Sequence, residues 1–260
     1  FPISLKNSLW DVIKEGVSGF DGDIFDEADD KKDYYLIAIN KARGVAFECA
    51  IRYGLWLLQS LGIDNKKANR SYCPELFAVL DQHLDTKYEK SKYILAIYGR
   101  WFPWLYLLDS AWAKANSTTL FSFESPLNAY SMAAWNAYLM YCQPYDNIFD
   151  LIKQQYLDAV NRLSENYEGS DEKPASRLID HIVLFILRDK IQPSSPIINA
   201  LYKTANLKIR LHIISFMGRL LNKSVIETAM QFWEFRVNEC NKLNDWNELA
   251  KFGYWVNTEG

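Results

Sequence analysis

The chain has 260 residues with 29 Lys and Arg against 32 Asp and Glu, a net charge of −3, 49% apolar residues, 11 Gly and 8 Pro. This length and apolar content suit one large domain or two small ones with a buried core, and the slight acidity leaves no global footprint for nucleic acid. Scarce Gly and Pro argue against a turn-rich all-β fold.

Helical periodicity runs throughout. Leu5, Leu9, Val12, Ile13 and Val17 predict a first amphipathic helix ending near Gly19, and an acidic loop follows from Asp21 to Asp33. A long helix is expected from about Tyr34 to Leu61, stopped by Gly62 and the turn residues Asp64 and Asn65. Pro74 opens a short helix to Leu84, at a first-turn position where its missing N–H costs nothing. A linker around Lys87 to Lys92 leads into the strongest apolar segment, Tyr93 to Ala115, which Pro103 must kink or divide. The apolar run within it, Ile94 to Trp112, is interrupted by Arg100, Pro103 and Asp109, so it reads as a core helix and not a membrane span.

Further helices are predicted over Pro126–Gln143, Tyr145–Asn166, Lys173–Ile191, Ser195–Asn206, Leu207–Leu221, Val225–Lys242 and Trp246–Val256, with Pro144, Pro193 and Pro196 as separators. The expectation is an all-α fold, an irregular α-solenoid or helical repeat of about ten to twelve helices. Residues 1–260 read as one helical-repeat domain, with 167–173 as the place where it would subdivide. No fixed sequence period supports tetratricopeptide or ankyrin repeats. The chain opens without an initiator Met or signal peptide, and closes just after an apolar helical run; both ends read as cuts in a longer polypeptide.

The chemistry-bearing residues are sparse. No Gly-rich phosphate loop occurs. Asp29, Asp30 and Asp33 fit a magnesium–diphosphate pattern, but acidic residues before a helix are also what capping and the helix dipole favour. A solvated cap is the preferred reading there. His83, His181 and His212 show no metal-ligand spacing, and His212 reads as a satisfied core histidine. Cys49, Cys73, Cys142 and Cys240 are widely spaced, which suggests free thiols in a reducing cytoplasm.

Arg43, Glu48 and Arg52 lie on the long helix, with Glu48 and Arg52 as an i, i+4 pair. Tyr98, Trp101, Phe102, Trp104, Tyr106 and Trp112 form an aromatic cluster read as core, with an interface role for any exposed subset. Lys66, Lys67 and Arg70, and separately Lys203, Lys208 and Arg210, are the thin basic groups.

Four stretches carry a resemblance. They are Asn40-Lys-Ala-Arg43-Gly44-x-Ala46-x-Glu48; Tyr98-Gly-Arg100-x-Phe102-Pro103-Trp104 continuing to Leu108, Asp109 and Trp112; Ala134-Trp135 with Pro144-Tyr145-Asp146; and Phe232-Trp233-x-x-Arg236 with Leu249 to Phe252, Gly253 and Trp255. Together they resemble a helical C-terminal region of large bacterial proteins, many of them STAND-type P-loop NTPases or related antiviral defence proteins. That resemblance implies a HEAT- or TPR-like module without catalysis of its own, joined to an NTPase and an effector.

It also implies that Arg43, Glu48, Arg100, Pro103, Trp104, Asp109, Trp112, Trp135, Trp233, Arg236 and Trp255 are motif residues with structural roles. The expected function is protein recognition or scaffolding in antiphage defence, with a phage component or a neighbouring subunit or domain as partner. No cofactor, metal or membrane is expected. The alternatives are a nucleic-acid-contacting helical scaffold in a restriction-like system and, more remotely, a magnesium-dependent all-α enzyme.

Overall fold

The computed structural model describes residues 2–19, 32–124, 128–163, 173–243 and 246–257. These residues are all-α: twelve α-helices and four short 3-10 segments, with no strand among them. No helix among them is long and apolar enough to cross a membrane. They divide into two compact units, 1–142 and 143–260. The boundary thus falls beside Pro144, one of the expected separators. The anticipated subdivision at 167–173 lies outside the described residues except for Lys173.

The first unit holds α1 (Lys6–Ser18), α2 (Tyr34–Ile39), α3 (Ala42–Ser60), α4 (Pro74–Leu84), α5 (Lys92–Leu108), α6 (Ser110–Leu120) and α7 (Asn128–Tyr141). Helix α5 is its axis, packing against α2, α3, α6 and α7. Its apolar residues surround it, and Ile94, Ala96, Ile97, Tyr98, Phe102, Leu105 and Leu108 are fully enclosed. Gly99 sets the closest approach: a Cβ there would lie 1.8 Å from the Ala134 carbonyl oxygen on α7. Two of the four motif stretches therefore meet backbone to backbone.

The expected long helix from Tyr34 is two helices. Lys41 adopts an extended conformation (φ −115°, ψ 137°), and Asn40 Nδ2 donates to Leu36 O at 2.7 Å. The corner is tight because Gly44 lacks a side chain; a Cβ on it would lie 2.1 Å from Ala38 O. Helix α3 ends where the sequence indicates. Gly62 takes φ +64°, with Ile63 N–H bonded to Leu58 O and Gly62 N–H to Gln59 O, the Schellman arrangement.

Pro103 does not divide its helix; α5 runs through it, and the chain breaks at Asp109 instead. Proline leaves the Gly99 carbonyl without its helical donor. The Cys142 thiol stands over this point, 3.7 Å from Gly99 O and 3.0 Å from Arg100 O.

The second unit holds α8 (Asp146–Asn161), α9 (Pro174–Leu187), α10 (Pro196–Thr204), α11 (Leu207–Arg219) and α12 (Ile226–Leu243). Helix α9 is its most enclosed element, with Phe185 stacked on Phe149 at 4.2 Å. The segment expected as a helix over Trp246–Val256 is a 3-10 stretch, Leu249–Asn257, docked on α11. Gly218 receives it: a Cβ there would lie 2.8 Å from the Trp255 ring.

Candidate recognition surface

Glu48 on α3 faces Trp101 on the neighbouring α5 and organises a cluster of rings and guanidiniums. Its Oε1 accepts from the Tyr35 hydroxyl at 2.6 Å and from Trp101 Nε1 at 2.9 Å. Its Oε2 lies 3.8 Å from Arg52 Nη2, so the expected i, i+4 pair is present but loose. The Arg52 guanidinium sits over the Trp101 ring at 4.8 Å. Arg100 lies over Trp104 at 4.9 Å and over Trp101 at 5.5 Å, and the two indoles meet edge to face at 5.4 Å. Tyr35 packs at 4.6 Å against Tyr141, the two rings tilted by 53°, and the Tyr141 hydroxyl donates to Asp33.

Exposure grades outward across this cluster. Trp101 is buried, Tyr35, Arg100, Trp104 and Tyr141 are half-buried, and the Arg52 side chain is 64% exposed. Burial, reinforced by the bond to Glu48, pushes the Tyr35 hydroxyl up to about 12 despite nearby Arg100. The cluster is thus a set of stiff rings with cations laid on them, on helices pinned by the Gly99 and Gly44 contacts.

The remaining motif residues hold the interior. Arg43 Nε donates to Val17 O at 3.1 Å and Nη1 to Glu89 Oε1 at 3.3 Å, while Nη2 pairs with Glu89 Oε2. The same carboxylate accepts from His83 Nδ1 at 2.7 Å and from the Ser91 N–H at 2.8 Å. Burial alone would raise Glu89, but the bonds from His83 and Arg43 and the Arg43 charge hold it down at about 2.

Asp109 caps α6 through Trp112 N–H at 2.8 Å and also accepts from Arg70 N–H at 2.9 Å. Trp112 Nε1 donates to Asp81 at 2.6 Å. Trp135 is buried among Phe121, Phe123 and Tyr138.

In the second unit, buried Arg236 donates through Nε to Glu248 at 2.7 Å and lies 3.6 Å from the Tyr202 ring centroid; Arg210 reaches the same carboxylate at 3.2 Å. Trp255 Nε1 donates to Ile214 O at 3.0 Å, and Trp233 is half-buried on α12. His212 has its partner, Asp180, 2.8 Å from Nε2.

Sequence reasoning did not single out Glu89, Asp81 or Glu248, the carboxylates that answer Arg43, Trp112 and Arg236. Glu89 lies in a charged stretch without periodicity, and nothing in its spacing marks it as enclosed. An arginine among apolar neighbours does signal that a buried acid must exist somewhere.

Of the three aspartates of the magnesium pattern, Asp29 and Asp30 lie outside the described residues. Asp33 caps α2, accepting from Leu36 N–H at 3.0 Å. Among the described residues no group of three His, Cys, Asp or Glu is placed to hold a metal ion. In the basic groups, Arg70 is bound to Asp81 at 2.6 Å and Arg210 to Glu248, so each loses one cation to an internal pair. All four cysteines are free, with Cys49 exposed and the others buried.

No family model, no curated protein and no solved structure matches the chain.

Proposed function

We propose that this chain is a non-catalytic protein-recognition module, a cytoplasmic helical part of a bacterial antiphage defence protein, and that it contacts its partner through the Arg–Trp surface of the first unit. The observation that carries this reading is the composition and stiffness of that surface. Trp, Tyr and Arg are the types that dominate binding hot spots, the aromatics because they bring large area at small entropic cost and Arg because its planar fork makes several directed hydrogen bonds. Here Trp104, Tyr35, Arg52 and Arg100 lie in one cluster, partly open to solvent, over a close-packed helix crossing. The choice of a defence protein rests on the resemblance of the four sequence stretches, and the partner it suggests is a phage component or a neighbouring subunit.

The test is capture of partners by the full-length protein from phage-infected bacteria, comparing wild type with a Trp104→Ala, Arg52→Ala double variant. The expected result is a protein captured by the wild type and lost, along with protection, in the variant. Identical capture and protection by the two would remove the reading.

A further inference from the structure

Arg100 is electrostatically unfinished. The chain's other enclosed arginines each hold a carboxylate: Arg43 has Glu89, and both Arg210 and Arg236 have Glu248. Arg100 makes no ion pair among the described residues, and its Nη1 is buried without a hydrogen-bond partner. The groups its charge reaches are the Tyr35 hydroxyl and the Cys142 thiol, both protonated up to about pH 12 through burial. Glu48, the acid of the cluster, is engaged by Tyr35, Trp101 and Arg52. A half-buried guanidinium without an ion pair, laid on two indoles, is suited to a carboxylate arriving at the part of the side chain that is open to solvent.

Arg52 supplies a second cation on the same pair of rings, over Trp101, with its side chain mostly in solvent and only a loose internal partner. Resting on the recognition reading above, we infer that this surface takes an acidic segment of a partner protein. Its Asp or Glu side chains would meet Arg100 and Arg52, and an apolar side chain between them would lie on Trp104. A phosphodiester strand fits less well. It needs a basic track, whereas this cluster offers two guanidiniums on a chain of net charge −3.

The experiment uses the full chain and three labelled probes followed by fluorescence anisotropy: a peptide of alternating Glu and Leu, its Gln–Leu counterpart, and a single-stranded oligonucleotide. The Glu–Leu peptide should bind at least about tenfold more tightly than the Gln–Leu peptide. Arg100→Gln should weaken it by about tenfold or more, and Arg100→Lys should restore only part, since a point charge lacks the guanidinium fork. Arg52→Gln, at an exposed site that leaves the fold intact, should weaken it about threefold and carries the test if Arg100→Gln fails to fold.

Equal binding of the two peptides, binding of neither, indifference to both Arg variants, or an oligonucleotide that binds tighter and is lost with Arg100→Gln would each overturn the inference. The two readings fail separately. If the peptides fail while the parent protein still captures a partner through Trp104, the acidic preference alone is wrong. If the Glu–Leu peptide binds as expected but infected cells yield no partner, the inference stands and the defence role falls.

Discussion

Glu89 owes its low titration point to the fold: the bonds from His83 and Arg43 outweigh burial and set its carboxyl at about 2, against an ordinary value of 4.5. A value depressed in the folded state contributes stability that is complete above about pH 4.5 and is lost as pH falls towards 2. The contribution is on the order of 3 kcal/mol. Urea unfolding of wild type and Glu89→Gln across this window should give a gap that is wide at pH 7 and closes at pH 2. A gap independent of pH would assign the acid sensitivity elsewhere. Arg43→Met, which strands the buried carboxylate, should cost about 3–5 kcal/mol by the same measurement. Arg43 was singled out in the sequence as a charge on the long helix, but Glu89 was not. A counter-ion forty-six positions away leaves no mark in local periodicity.

At the scale of elements, three glycines separate three causes. Gly99→Ala would drive a methyl into the Ala134 backbone, where no side chain can rotate away, and should destabilise the protein by about 3 kcal/mol or more. Gly62→Ala meets open space but forces φ +64° on an L-residue, a cost of about 1 kcal/mol. Gly253→Ala meets neither obstacle and should fall within about 0.5 kcal/mol of wild type. Chemical denaturation of the three variants tests the order. Asp109→Ala, which removes the α6 cap and orphans the Arg70 N–H, should cost about 1–2 kcal/mol in the same assay.

Helix ends marked by local chemistry, such as Gly62 and Pro74, were legible in the sequence. The corner at Asn40–Lys41 was not, because apolar residues continue across it and the cause is Gly44 meeting Ala38 O. Of the two roles open to Pro103, dividing the helix is not the one it takes: a proline is accommodated when another group serves the carbonyl it strands, and the break falls at Asp109.

For the molecule as a whole, the all-α class followed from pervasive helical spacing, whereas the grouping of helices into two units depends on contacts that no single window of sequence contains. Each unit encloses acids of its own, Glu89 and Asp109 in one and Asp180 and Glu248 in the other. Glu248→Gln weakens the bonds to Arg236 and Arg210 and should destabilise the second unit by a few kcal/mol.

The thiols supply the means to see this. Cys49 is open to solvent, Cys73 and Cys142 are enclosed in the first unit and Cys240 in the second. An alkylating reagent will therefore modify Cys49 at once and reach the others only when their surroundings open. Burial also pushes the Cys73 and Cys142 thiols up to about 12, so either must be uncovered before it can react at neutral pH. Mass spectrometry of peptides after timed labelling would then serve as a pair of clocks, Cys142 timing the opening over the Gly99 and Arg100 carbonyls and Cys240 the loosening of α12, without a probe having to be introduced.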